Sequence, residues 1–258
     1  YIGLPGNPVE LCTGSAVFVL DGTLTGENLL YEGFQEAMQE AQSGSDTHSQ
    51  GRLAEFRDIH ARRQITAHYQ PIVALATGSV YGYEALARGP QASYFSTPSR
   101  LWDFAEKTNQ LYVLEKVARQ RAIEGFLQGA SGWKLFINLN ANVVHDPQFT
   151  PGQTLAFLKK TNLTPQDIVF EITERQSIAD YASFTRALGH YRQQGYRIAI
   201  DDAGAGYSSL QAIAELRPDY IKIDRSIIHG IDRDPVKAML LETMVLFAQK
   251  VNCRIIAE

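Results

Sequence analysis

Two hydrophobic rhythms alternate along this chain. Short apolar runs over 66–75, 80–88 and near 134–140, 167–173, 196–201, 219–224 and 254–258 predict strands. Between them, apolar residues three and four apart predict helices. Leu111, Leu114, Val117, Ala118, Ala122 and Phe126 share one face over 111–128, and Phe184, Leu188 and Tyr191 share one over 181–194. Leu240, Met244 and Phe247 are expected to form the buried face over 234–250, and a further helix is expected over 52–63. The short turn at 76–79 makes the first two strands a hairpin. The remaining strands are spaced by helices, which implies a parallel sheet under a helical cover. Seven strands in this order predict an α/β fold, a nearly complete TIM-type (β/α) barrel with one antiparallel strand.

The first 50 residues follow neither rhythm for long. Residues 16–20 read as a strand and 28–41 as a helix, and the polar, Ser- and Gly-bearing run 42–50 is expected to be a linker. About 40 residues ahead of it are few for an independent core. Residues 1–50 are therefore expected to be an appendage, or the tail of an upstream domain, with the main domain over 51–258.

Composition narrows the class without changing it. A length of 258 residues, 45% hydrophobic and 20% charged, suits one large α/β domain. Cys12 and Cys253 have no Cys-x-x-Cys partner, so neither a disulfide framework nor a structural zinc site is expected. The net charge of -4 argues against a nucleic-acid polymer as partner. No apolar stretch approaches the roughly 20 residues of a membrane span. The amino terminus lacks the basic and apolar segments of a signal peptide, so a cytoplasmic location is expected. The six histidines show no metal-ligand spacing.

The chemistry concentrates at the run 198–210, where Asp201 and Asp202 stand side by side as an apolar strand breaks into a glycine-rich turn. Adjacent like charges at the edge of a core raise each other's pKa or require a cation. Strand side chains alternate, so both carboxylates can serve one site only where the strand ends. A divalent metal site and a solvated turn are the two readings of this stretch alone. The same kind of interruption recurs elsewhere: Glu84, Asn138, Glu171, Lys222 and Glu258 each lie within or at the end of a strand-like run. In a TIM-type barrel such ends converge on the active site. Strand parity puts Glu84 on one face with Leu86 and Arg88, and Lys222 on one with Tyr220 and Asp224.

These residues also form a recognisable series. Gln70-Pro-Ile, Glu84-Ala-Leu-Ala-Arg88, Asn138-Leu, Glu171-Ile-Thr-Glu174, Asp201-Asp-Ala-Gly-Ala-Gly-Tyr-Ser-Ser-Leu210, Ile221-Lys-Ile-Asp-Arg-Ser226 and Ala257-Glu258 appear in sequence. Their order and approximate spacing, over about residues 52–258, resemble the EAL family of bacterial cyclic di-GMP phosphodiesterases. The resemblance implies that Glu84, Asn138, Glu171 and Asp201 hold one metal and that Asp201 bridges to a second, held also by Asp202, with Glu258 serving the metal and water shell. Two magnesium or manganese ions suit such oxygen ligands. It further implies that Lys222 orients or polarises the attacking water and that Glu174 holds the metal-site loop. Gln70, Leu86 and Arg88 would bind the dinucleotide. The implied reaction hydrolyses cyclic di-GMP to linear pGpG in second-messenger signalling. The alternative is an inactive EAL domain acting as a cyclic di-GMP receptor, which would typically have lost metal ligands; none is missing here.

Some positions depart from the pattern. Ala203 and Ala205 stand where the family often has Phe and Thr, and Asn140 where Ser is frequent. The family's last strand and helix have no counterpart before Glu258, so the barrel is expected to stay open. A helix following Tyr207 resembles the dimerisation region, with Leu210, Ile213 and Leu216 either supplying a homodimer contact or packing within their own chain. The short run Leu4-Pro-Gly-Asn7 resembles an element of degenerate GGDEF domains, which implies an upstream regulatory domain.

Overall fold

The computed structural model describes residues 46–126, 132–140, 152–173, 181–204 and 209–258, with the isolated positions 34, 37 and 38. The strand expected over 16–20 and most of the helix expected over 28–41 lie outside these residues. The chain divides into two units, Tyr1–Asp58 and Ile59–Glu258. The boundary falls within the sequence of α1 (Asp46–Ala61). That helix begins inside the stretch expected to be a linker. Asp46, Thr47 and Ser49 are residues that open helices as readily as they fill loops, and composition alone does not separate the two uses.

In the second unit, seven strands form one sheet in the order of the sequence: β1 (Thr66–Val73), β2 (Val80–Arg88), β3 (Lys134–Asn138), β4 (Ile168–Thr173), β5 (Arg197–Ala203), β6 (Tyr220–Ile223) and β7 (Arg254–Ala257). β1 and β2 pair antiparallel, with Gln70 opposite Glu84, and the other five pairs are parallel. The helices described are α2 (Pro98–Lys107), α3 (Leu111–Gly125), α4 (Gln153–Leu158), α5 (Tyr181–Gln193), α6 (Ser209–Leu216), α7 (Arg225–Ile228) and α8 (Pro235–Lys250). Asp224 and Asp234 cap α7 and α8 by accepting backbone N–H groups of their first turns.

The two faces of the sheet separate by strand parity. Ile137, Phe170, Ile198, Ile200, Ile221 and Ile223 face the helices and pack with Phe184, Leu188, Ile213 and Leu216. Phe136, Val169, Ala199 and Tyr220 form a second apolar cluster on the other face. Burial on both faces is why these strands read as nearly continuous apolar runs. A flat sheet would set β2 and β7 about 24 Å apart, at about 4.8 Å per strand. Side chains from both nevertheless touch one atom of β6, so the sheet curls as a TIM-type barrel does.

One expectation about a helix face needs correction. On α8, Leu240 and Phe247 are exposed, whereas Ala248 is buried and Leu241 and Met244 pack on the core. This helix is apolar almost all round, so its sequence period does not choose a face. On α6, Ile213 and Leu216 follow the second of their two alternatives and are buried in their own chain's core. The side chain of Leu210 lies outside the described residues.

Candidate active site at the carboxyl ends of the strands

The inner apolar cluster is the floor of a polar layer. Two residues beyond Phe136, Val169, Ala199, Tyr220 and Ile256 come Asn138, Glu171, Asp201, Lys222 and Glu258. A step of two keeps each side chain on the same face. Five strands thus change from apolar to polar at the same level. Asn138 pairs with Glu171 in register, and Glu84 joins them from β2.

Lys222 lies at the centre of this layer. Its Nζ is 3.1 Å from Glu84 Oε2, 2.9 Å from Glu171 Oε1, 3.0 Å from Asp201 Oδ1 and 2.6 Å from Glu258 Oε1. One ammonium therefore faces four carboxylates, and it is itself 1% exposed. Burial alone would lower the pKa of Lys222, but the charges of Glu171, Asp201, Glu84 and Glu258 outweigh it and raise it. Burial pushes Glu171 well above the usual carboxylate range; Lys222 pulls it down, and the charges of Glu84 and Asp201 push it further up. Glu258 is raised as well, chiefly by burial.

Asp202 reaches the same region through the backbone. β5 carries an irregularity in its pairing with β6 between Ile200 and Ala203, and Asp202 adopts φ +55° there, donating its N–H to Asp201 Oδ1 at 3.0 Å. A bulge re-aims side chains that strict alternation would send to opposite faces. The two aspartates thus serve one site within the strand, which runs to Ala203 and not to 201 as expected. Gly204 follows at φ +99°, where a Cβ would run into Ile227 Cδ1.

The donor set fits a hard divalent cation. Ligand atoms of Glu84, Glu171 and Asp201 lie within 4.8 Å of one another, and so do those of Asp201, Asp202 and Glu258, with Asp201 common to both groups. Every donor is an oxygen, as magnesium, manganese and calcium prefer. Glu171 is fully buried, and its carboxylate is met at 2.9 Å by an ammonium that Glu84, Asp201 and Glu258 share. One positive charge among four carboxylates leaves a surplus of negative charge that a further cation would offset.

Among the other expected residues, Gln70 stands directly across from Glu84, and both line a cavity of about 650 Å³ with Lys222 and Glu258. Leu86 and Arg88 follow Glu84 at two-residue steps, and Arg88 Nη1 donates to the Ala87 carbonyl at 2.9 Å. Glu174 lies outside the described residues. One feature the sequence did not announce is a buried pair on α3: Arg119 Nη1 is 3.2 Å from Glu115 Oε1, with both side chains 2–3% exposed. Charged residues four apart within the inward lane of Leu114, Ala118 and Ala122 are its only sequence signal.

Known proteins share this arrangement of chain. A cyclic di-GMP phosphodiesterase of Escherichia coli K12, named as probable and called PdeG, is 32% identical over 203 residues, which cover 76% of this chain and 39% of that protein. The PaMucR phosphodiesterase, solved in complex with c-di-GMP, superposes with a TM-score of 0.69 at 28% identity, covering 80% of this chain and 85% of that one. Klebsiella pneumoniae BlrP1, solved with manganese and cy-diGMP, gives a TM-score of 0.68 at 26% identity, covering 75% and 49%. The chain spans 31% to 39% of the length of three curated relatives it matches. Residues 53–258, which hold all seven strands and every carboxylate around Lys222, match the EAL domain model, and the chain belongs to that family.

Proposed function

We propose that this chain hydrolyses cyclic di-GMP to linear pGpG with magnesium or manganese, two ions being held by Glu84, Asn138, Glu171, Asp201, Asp202 and Glu258. The observation that carries the reading is the layer in which four carboxylates, those of Glu171 and Asp201 buried, share one ammonium. The names of PdeG, PaMucR and BlrP1 support the substrate, and the manganese complex of BlrP1 supports the metal class. Two adjacent divalent ions in such a cage supply positive charge to a phosphoryl oxygen and make a water more acidic.

The chain's own groups do the rest. Asp201, common to both acidic groups, holds the two halves of the cage in fixed separation. Lys222 is a donor without a lone pair, so it orients the attacking water and places positive charge beside the developing phosphorane charge. Arg88 offers a guanidinium fork to a phosphate, while Gln70 and Leu86 border the dinucleotide. Glu174 would hold the metal-site loop, the role that its place in the family pattern implies. The reaction is assayed directly: the protein is incubated with cyclic di-GMP and magnesium, and pGpG is sought by chromatography with and without a chelator. Formation of pGpG that chelation stops is the expected result. Tight binding of cyclic di-GMP with no pGpG would make the chain a receptor, and pGpG formed at full rate after chelation would exclude the metal role.

A further inference from the structure

We propose that Glu115 and Arg119 of α3 are positioning residues for Asn138, a role that rests on the metal-dependent reading above. Neither side chain belongs to the acidic layer, yet one reaches its support. Glu115 Oε2 accepts the N–H of Asn140 at 3.1 Å, two residues beyond Asn138 and just past the end of β3. The intervening N–H, that of Leu139, donates to the carbonyl of Glu171 at 2.8 Å. The backbone leaving Asn138 is thus clamped by two consecutive amides, one tied to β4 and one to the helix layer. The backbone that carries Asn138 cannot shift without breaking one of them.

The pair has no adequate explanation as a stabilising contact. A buried ion pair is no more stable than apolar residues of the same volume, and this one leaves Arg119 Nε without a hydrogen-bond partner. Packing does not hold the carboxylate in place either. Glu115, Arg119, Ala85, Arg88 and Asn138 border a cavity of about 100 Å³ between α3 and the strands β2 and β3. Arg119 supplies the fixed point instead, holding the oxygen of Glu115 that Asn140 does not use. Burial pushes Glu115 up to about 7, against the opposing pulls of Arg119 and the Asn140 amide. Protonation does not undo the clamp, because the carboxylic acid still accepts through its carbonyl oxygen. Glu115→Gln retains an acceptor of the same shape, and Glu115→Ala does not.

The test measures manganese binding to the purified protein by the loss of the free-ion electron paramagnetic resonance signal, alongside kcat and KM for cyclic di-GMP. Removing outer support of this kind weakens metal binding by about 10-fold to 100-fold. Glu115→Ala is expected to fall in that range and to lower kcat with KM nearly unchanged. Glu115→Gln is expected to bind manganese within about threefold of the unaltered protein, and Arg119→Met to lie between. Circular dichroism and thermal melting check that each variant is folded. Should Glu115→Ala not fold, the Gln and Met variants decide. A folded Glu115→Ala or Arg119→Met that binds manganese as the unaltered protein does would overturn the proposal, as would a folded Glu115→Gln no better than Ala. Glu171→Ala separates this from the broader reading: if the unaltered protein binds no manganese, or Glu171→Ala binds it equally well, the metal cage itself is wrong whatever Glu115 does.

Discussion

At the scale of single residues, the layer around Lys222 is a conflict between stability and chemistry. Glu171 is buried, raised in pKa and faces Glu84 and Asp201 across one ammonium. Glu171→Gln removes a carboxylate that the metal-free protein accommodates poorly, so the metal-free variant is expected to melt several degrees higher than the unaltered protein. On the proposed ligand set it should also lose the further rise expected from manganese. Differential scanning calorimetry with and without manganese checks both halves; a metal-free variant that melts lower would mean that Lys222 fully compensates Glu171. The carboxylates of this layer were legible in the sequence because each interrupts an apolar strand, where a charge has no ordinary reason to be. Glu115 and Arg119 were not, because charges on an amphipathic helix ordinarily face water, and only their sharing of a lane with Leu114, Ala118 and Ala122 betrays the burial.

At the scale of elements, the strands were read closely and the helices unevenly. The parallel strands, buried on both faces, stand out in the sequence as short apolar runs, whereas α8 carries apolar residues on every side and hides its orientation. The structure assigns Leu241 inward and Leu240 outward. Leu241→Ala should cost about 1–2 kcal/mol, and Leu240→Ser should stay within about 0.5 kcal/mol. Urea unfolding of the two variants distinguishes the faces, and a larger loss at Leu240 would reverse the assignment. The bulge in β5 was invisible for a different reason: two adjacent aspartates in one site imply a strand end, and a local irregularity that serves the same purpose leaves no period to read. The backbone after it is equally constrained. Gly204→Ala places a Cβ at positive φ and against Ile227, so a loss of about 1–3 kcal/mol is expected, with the metal cage disturbed through Asp202. Equal stability and equal manganese affinity in that variant would show that the turn relaxes freely.

At the scale of the whole molecule, three acids with raised pKa values give the metal-free protein an unusual pH dependence. Glu171, Glu258 and Glu115 are all raised by burial, Glu115 from 4.5 to about 7. Between those two values the folded chain keeps a proton on Glu115 that the unfolded chain has released. Stability is therefore fully present below the unfolded pKa and falls as pH rises toward the folded one. For Glu115 alone the difference amounts to about 3 kcal/mol, at about 1.4 kcal/mol per pKa unit. The shift of Lys222 acts only at alkaline pH, above the ordinary lysine value, and leaves this window untouched. Metal binding removes the share of the layer around Lys222, since a cation held by ionised carboxylates leaves the folded chain no extra protons there. The fall that remains over the same interval is then that of Glu115. Unfolding free energies from urea titrations at pH 5, 6, 7 and 8 are expected to slope downward with chelator and less steeply with manganese. Glu115→Gln should flatten part of the slope under both conditions. That variant isolates α3 from the cage, because Glu171 and Glu258 titrate in both proteins. A metal-free slope unchanged by Glu115→Gln would place the proton uptake wholly in the layer around Lys222, and a slope equally steep with and without manganese would remove the carboxylates of that layer from metal binding.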